Sequence, residues 1–146
     1  MGLIEEVGRG PVALDTAAFI YFIEAHPAYL PLLRPLFAAA DREDLTIVTS
    51  AVTLLEVLVV PYRAGNLTLA TRYEALLTRS RGVLMREIDR AQLRAAAQLR
   101  AVAGVRTPDA LQLAAAVAEG CTAFVTNDRR LHALPGGRIL QLADYV

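Results

Sequence analysis

A chain of 146 residues, 55% of them hydrophobic, is long enough for one domain with its own core, and no apolar run approaches the roughly 20 residues needed to span a bilayer. Lys and Arg together number 15, as do Asp and Glu, so the zero net charge excludes a molecule that attracts nucleic acid through its overall field. The single cysteine, Cys121, excludes an internal disulfide and reads as a small buried hydrophobe at the end of an Ala-rich helix.

Near the N-terminus, Glu5 and Glu6 stand where a secretory signal would be basic and then apolar, which points to a cytoplasmic protein. Pro11–Leu14 reads as a short buried strand ending at Asp15, followed by a helix from Thr16 to Ala25 that stops before Pro27. Tyr29–Ala40 is a second helix. Leu45–Val48 is a β-branched strand, and Thr49 or Ser50 can cap a helix over Ala51–Val60 that ends at Pro61. Leu67–Arg79 is helical after the Gly65-Asn66 turn. Val83–Ile88 is a strand, and Asp89 caps a long Ala/Arg helix closed by Gly104. Thr107 caps a helix that runs to Glu119, with Pro108 in its first turn. Ala123–Thr126 is a strand, Asp128 starts a short helix, and Arg138–Leu142 is the last strand.

This alternation implies an α/β fold over residues 1–146, a single domain whose central, mostly parallel sheet carries helices on both sides. Strands apolar on both faces suit the high hydrophobic fraction, and a partner interface would need further apolar surface. In such sheets the active site lies beyond the carboxyl ends of the strands.

Four carboxylates draw attention there. Asp15 and Asp128 each follow a buried strand, although each also suits a helix N-cap. Asp109 falls in the first turn of its helix, where the helix dipole favours negative charge whatever the function. Glu56 is the only charge between Asp44 and Arg63, on a helix apolar on nearly every side. Such a carboxylate is costly unless it is paired, bound to a metal or left on a solvent stripe. Carboxylates crowded together raise one another's pKa, and a hard divalent cation removes that penalty. All-oxygen ligands suit Mg²⁺ or Mn²⁺, and a metal-activated water can cleave a phosphodiester. Neither His26 nor His132 adjoins a candidate nucleophile, so no Ser/His/Asp or Cys/His arrangement competes.

Charge is unevenly spread. All basic residues are Arg, and from Arg79 to Arg106 seven of them face only Glu87 and Asp89, a net charge of +5 (7 minus 2). Arg suits phosphate through its planar fork, so this stretch is either a solvated helix face or an RNA backbone track. Arg86, Arg90, Arg94, Arg129 and Arg130 are the candidates for holding the backbone.

The chain resembles the PIN-domain ribonucleases, and within them the VapC-type toxins of type II toxin–antitoxin pairs. The resemblance rests on Leu14-Asp15-Thr16, on Ser50–Glu56, and above all on Arg106–Ala114 and Phe124–Asp128 at their short separation. It implies a PIN-like fold and an Mg²⁺- or Mn²⁺-dependent endoribonuclease. Asp15 and Asp109 would be the firmest metal ligands, Glu56 and Asp128 would complete the set, and Thr126 would help to position a water. It also implies a homodimer silenced by an antitoxin protein. Two alternatives stand beside this reading. A catalytically silent PIN-like module that binds RNA or protein would be expected to lack one of the four acids, and none is lacking. A phosphotransferase of the haloacid dehalogenase type wants a second Asp two residues after the first, where this chain has Ala17.

Overall fold

A computed structural model describes residues 1–131 and 133–146; His132 lies outside the described residues. In chain order the elements are α1 (Leu3–Val7), β1 (Val12–Leu14), α2 (Thr16–Ile23), α3 (Leu30–Asp41), β2 (Ile47–Ser50), α4 (Val52–Ala64), α5 (Leu67–Arg79), β3 (Val83–Arg86), α6 (Arg90–Ala103), α7 (Thr107–Ala118), β4 (Ala123–Thr126) and β5 (Arg138–Gln141), with a closing 3₁₀ turn at Leu142–Tyr145.

The five strands form one sheet in the order β3-β2-β1-β4-β5, and every pairing is parallel. Side chains on a strand alternate between faces, so each central strand must feed two cores. Val12 and Leu14 of β1, Ile47 of β2 and Val125 of β4 pack with Phe19, Leu33, Phe37 and Tyr73 from α2, α3 and α5. The residues between them, Ala13, Val48 and Phe124, pack with Leu113, Ala115 and Ala116 of α7 and with Cys121. Cys121 is buried in this second core, and that burial pushes its thiol up to about 12, which suits a packing residue and not a nucleophile.

The chain builds outward from β1 to β2 and β3, then crosses by α6 and α7 and re-enters at β4 on the other side of β1. The strand order therefore reverses between β1 and β4, the kind of switch point beyond whose carboxyl ends open α/β sheets bind their ligands. Asp15 leaves one side of that point and Thr126–Asp128 the other.

Several boundaries differ from the sequence reading for local reasons. Helix α4 does not end at Pro61 but runs through it to Gly65, which takes the left-handed conformation at φ 69°. Thr53, Val57 and Pro61 are the buried residues of α4, one turn apart, so packing outweighs the lost hydrogen bond. Strand β2 starts two residues late and takes in Thr49 and Ser50, because it pairs with β3 as far as Ser50 opposite Arg86. No helix starts at Asp128; its carboxylate accepts the backbone N–H of Arg130 (2.9 Å) in a turn. Thr107 is the first residue of α7, not its cap, and its hydroxyl accepts from Arg100 instead (3.0 Å). Helix α1 was not expected; it buries Leu3 and Val7, four residues apart, against the larger core. Among the described residues, no helix is long and apolar enough to cross a membrane.

Candidate active site at the sheet switch point

Asp15 does two jobs at the end of β1. One carboxylate oxygen caps α2 by accepting from the Ala18 N–H (3.2 Å), and the other accepts from the Thr126 hydroxyl (2.5 Å). Thr126, the last residue of β4, is fully buried, and its oxygen also accepts the Asp128 N–H (2.9 Å). The ends of β1 and β4 are thus joined through Thr126. Burial pushes the Asp15 carboxyl from 3.8 up to about 6, against the pull of the hydrogen bonds from Thr126 and Ala18. The negative charges of Asp109 and Asp128 push it further the same way, so two of the other sequence-selected carboxylates act on Asp15.

Asp109 and Asp128 each face an arginine. Asp109, third residue of α7, lies 3.4 Å from the Nε of Arg106. Asp128 accepts twice from the Arg130 guanidinium, at 2.9 Å each. Those bonds hold the Asp128 carboxyl below the usual carboxylate range, and Arg106 contributes to the same effect. Arg106, Asp109 and Arg130 line a cavity of about 170 Å³ together with Gly104, Val105 and Leu131.

Glu56 joins from α4. Its partner is the hydroxyl of Thr16, which donates to it at 2.6 Å, and not a cation. Glu56 is not among the charges that act on Asp15, so it is linked to the other three through Thr16, the neighbour of Asp15 in the chain. Among the described residues, no three His, Cys, Asp or Glu side chains gather closely enough to hold a metal ion. The expected convergence of four carboxylates is therefore looser than the sequence suggested, with two of them turned onto arginines.

The selected arginines fare differently. Arg86 is held by Glu119 (2.9 Å) and lies near Asp89 (3.9 Å), and Arg129 is held by Asp144 (2.7 Å). Both guanidiniums are committed within the fold. Arg130 sits at the carboxylates themselves. Arg90 and Arg94 are exposed and form no ion pair among the described residues. They lie in the first two turns of α6, whose opposite end, at Ala103, borders the Asp109 cavity.

Three residues without a role in the sequence reading belong to this site: Arg106, Thr16 and Gln112. Each had a signal. Thr16 directly follows Asp15, while Arg106 and Gln112 stand three residues on either side of Asp109, the spacing that puts helical neighbours on one face.

The family model of the PIN domain matches residues 12–137. The chain belongs to the PIN domain family. No curated protein matches it. Among solved structures, it is similar to VapBC2 from Rickettsia felis bound to a promoter DNA fragment, at 19% identity and a TM-score of 0.67 over 89% of this chain and 97% of that one. DNA-bound VapBC from Salmonella typhimurium aligns at 24% identity and a TM-score of 0.62, covering 90% and 97%. The sarcin-ricin loop cleaving toxin VapC20 from Mycobacterium tuberculosis aligns at 16% identity and a TM-score of 0.62, covering 77% and 86%. At these identities the likeness is one of fold.

Proposed function

We propose that residues 1–146 form a single PIN domain acting as an Mg²⁺- or Mn²⁺-dependent endoribonuclease, the toxin of a VapBC-type pair. The observation that carries this reading is the Asp15 carboxylate at the switch point, tied to Thr126 of β4 and pushed up to about 6 chiefly by burial, with the charges of Asp109 and Asp128 adding to it. A buried carboxylate with further negative charge near it costs the fold, and such sites are where function is sought. The donor chemistry fits a hard cation, since every candidate ligand is a carboxylate oxygen. Asp15, Asp109, Asp128 and Glu56 would hold it. When bound, the cation supplies Lewis acidity and a water acidic enough to attack a phosphodiester.

The chain's own residues do the rest. Thr126 fixes the rotamer of Asp15 from β4. Thr16 does the same for Glu56. With Asp109 and Asp128 serving as ligands, Arg106 and Arg130 would be left to offer forked donors to RNA phosphates beside the cavity they line. Arg90 and Arg94 would extend that track along α6. The toxin assignment is supported by the similar folds, which include a toxin–antitoxin complex from Klebsiella pneumoniae and a sarcin-ricin loop cleaving toxin. An antitoxin partner, a homodimer, an RNA substrate and a cytoplasmic location are parts of the same proposal.

A second reading is the catalytically silent PIN-like module. It is favoured by one observation: the arginine pairing of Asp109 and Asp128, which leaves no three acids gathered among the described residues. The two readings separate on cleavage of total cellular RNA by the purified protein in Mg²⁺, Mn²⁺ or EDTA. Cleavage that requires a cation and is abolished by Asp109→Asn is expected. An Asp109→Asn protein with undiminished cleavage would remove Asp109 from the site. A wild-type protein that neither cuts RNA nor binds Mn²⁺ by calorimetry would establish the silent module.

A further inference from the structure

Gln112, in α7, is only 4% exposed, and both ends of its amide are engaged. Its oxygen accepts the backbone N–H of Ser50 (3.1 Å) and lies 3.2 Å from the Thr49 hydroxyl. Its nitrogen donates to Thr53 Oγ1 (2.6 Å) and to Thr16 Oγ1 (3.3 Å). The direction of these bonds is forced. A backbone N–H can only donate, so the amide oxygen must face Ser50 and the two N–H groups must face the hydroxyls. At the far end Thr16 donates to the Glu56 carboxylate, so its single proton is committed there (2.6 Å). The chain of donors therefore runs one way: Ser50 N–H to Gln112, Gln112 to Thr16, Thr16 to Glu56.

A buried amide is costly to desolvate, and for packing alone an apolar side chain of the same length would serve better. The compensation here lies wholly in polar groups from β2, α4 and α2, and the last of them touches a carboxylate of the candidate site. Asp109 stands on the same helix, three residues earlier.

We propose that Gln112 is a positioning residue. It fixes the Thr16 hydroxyl as a donor, and so holds the Glu56 carboxylate in place, while it ties α7 and its Asp109 to the end of β2. This inference rests on the nuclease reading for its consequences and on hydrogen bonding alone for its geometry.

The test uses Gln112→Met, which keeps volume and loses every hydrogen bond, and Gln112→Glu, which keeps the acceptor for Ser50 and loses both donors. Crystal structures of the variants report Glu56 directly. It should leave Thr16 in both, whereas an unchanged Glu56–Thr16 bond would overturn the proposal. Mn²⁺ affinity by calorimetry and kcat on RNA should each fall on the order of tenfold or more, the range for residues that orient a ligand, with KM for RNA unchanged. Thr16→Val should match Gln112→Met, the pair should be non-additive, and Thr16→Ser should restore binding. Additive losses, or affinity within about twofold of wild type, would overturn the proposal. If Gln112→Met does not fold, Gln112→Glu and the Thr16 variants decide. If the wild-type protein binds no Mn²⁺ and cuts no RNA, the nuclease reading fails, and the Glu56–Thr16 geometry alone still decides the role of Gln112.

Discussion

Asp15 holds its proton to about pH 6 in the folded chain, against 3.8 for a free carboxyl. The folded state therefore binds this proton more tightly than the unfolded one. The contribution to stability is full below about pH 3.8 and is lost as pH rises through 6; above that the ionised group costs up to about 3 kcal/mol, two pH units at 1.36 kcal/mol each. Asp15→Asn removes the charge and keeps an N-cap of equal quality. In EDTA its melting temperature should exceed that of wild type at pH 7.5, and the gap should close towards pH 4. Equal melting at both pH values would refute the burial of this charge. At the same edge, Arg106→Ala and Arg130→Ala test phosphate contact. Each should lower the slope of log affinity against log salt for single-stranded RNA by about 0.7, because one fewer phosphate is neutralised. An unchanged slope would free that arginine of any role in binding.

Among the elements, the β-strands are set by close approaches as much as by their own residues. Gly82, just before β3, has φ +76°, and a Cβ there would lie 2.2 Å from the carbonyl oxygen of Ala40 at the end of α3. Gly82→Ala should cost about 2 kcal/mol or more, from the left-handed backbone and the displaced helix end together, read as a lower urea midpoint. A change below about 0.5 kcal/mol would mean that α3 can shift freely. Helix α4 shows the opposite balance. Pro61 removes a helical hydrogen bond, yet Thr53, Val57 and Pro61 form one buried stripe that keeps the helix intact past it.

For the molecule as a whole, the question is where its excess of apolar residues goes. Two cores take most of it, one on each face of the sheet. Part of the remainder stays in water on and beside α4: Leu55 and Val60 are each 65% exposed, with Val59, Tyr62 and the nearby Leu67 of α5 also exposed. The homodimer of the proposal would need exposed apolar surface of this kind. Light scattering should give twice the chain mass of 15.8 kDa, and Leu55→Glu with Val60→Glu should restore the single mass without loss of helical circular dichroism. A wild-type protein that remains at 15.8 kDa at micromolar concentration would rule out the homodimer and leave this surface to another partner.

Periodicity and punctuation alone determined the α/β class, the parallel sheet and most of the helices, because apolar spacing and residues such as Asp89 and Gly104 act locally. They also placed Asp15, Asp109 and Thr126 at element ends, where a parallel sheet exposes its carboxyl edge. Only the tertiary structure decided what those ends face. That Asp128 turns onto Arg130, that Arg86 and Arg129 are committed to Glu119 and Asp144, and that Glu56 meets Thr16 all depend on contacts between segments distant in the chain or on a turn that replaced an expected helix. Gln112 is the clearest instance. In sequence it is one polar residue in an apolar helix, and its meaning comes from Ser50, Thr53 and Thr16, which are brought to it by β2, α4 and α2. Local signals fix where a chain turns and which face it buries, whereas hydrogen-bond partners across the fold are set by packing, which no single segment carries.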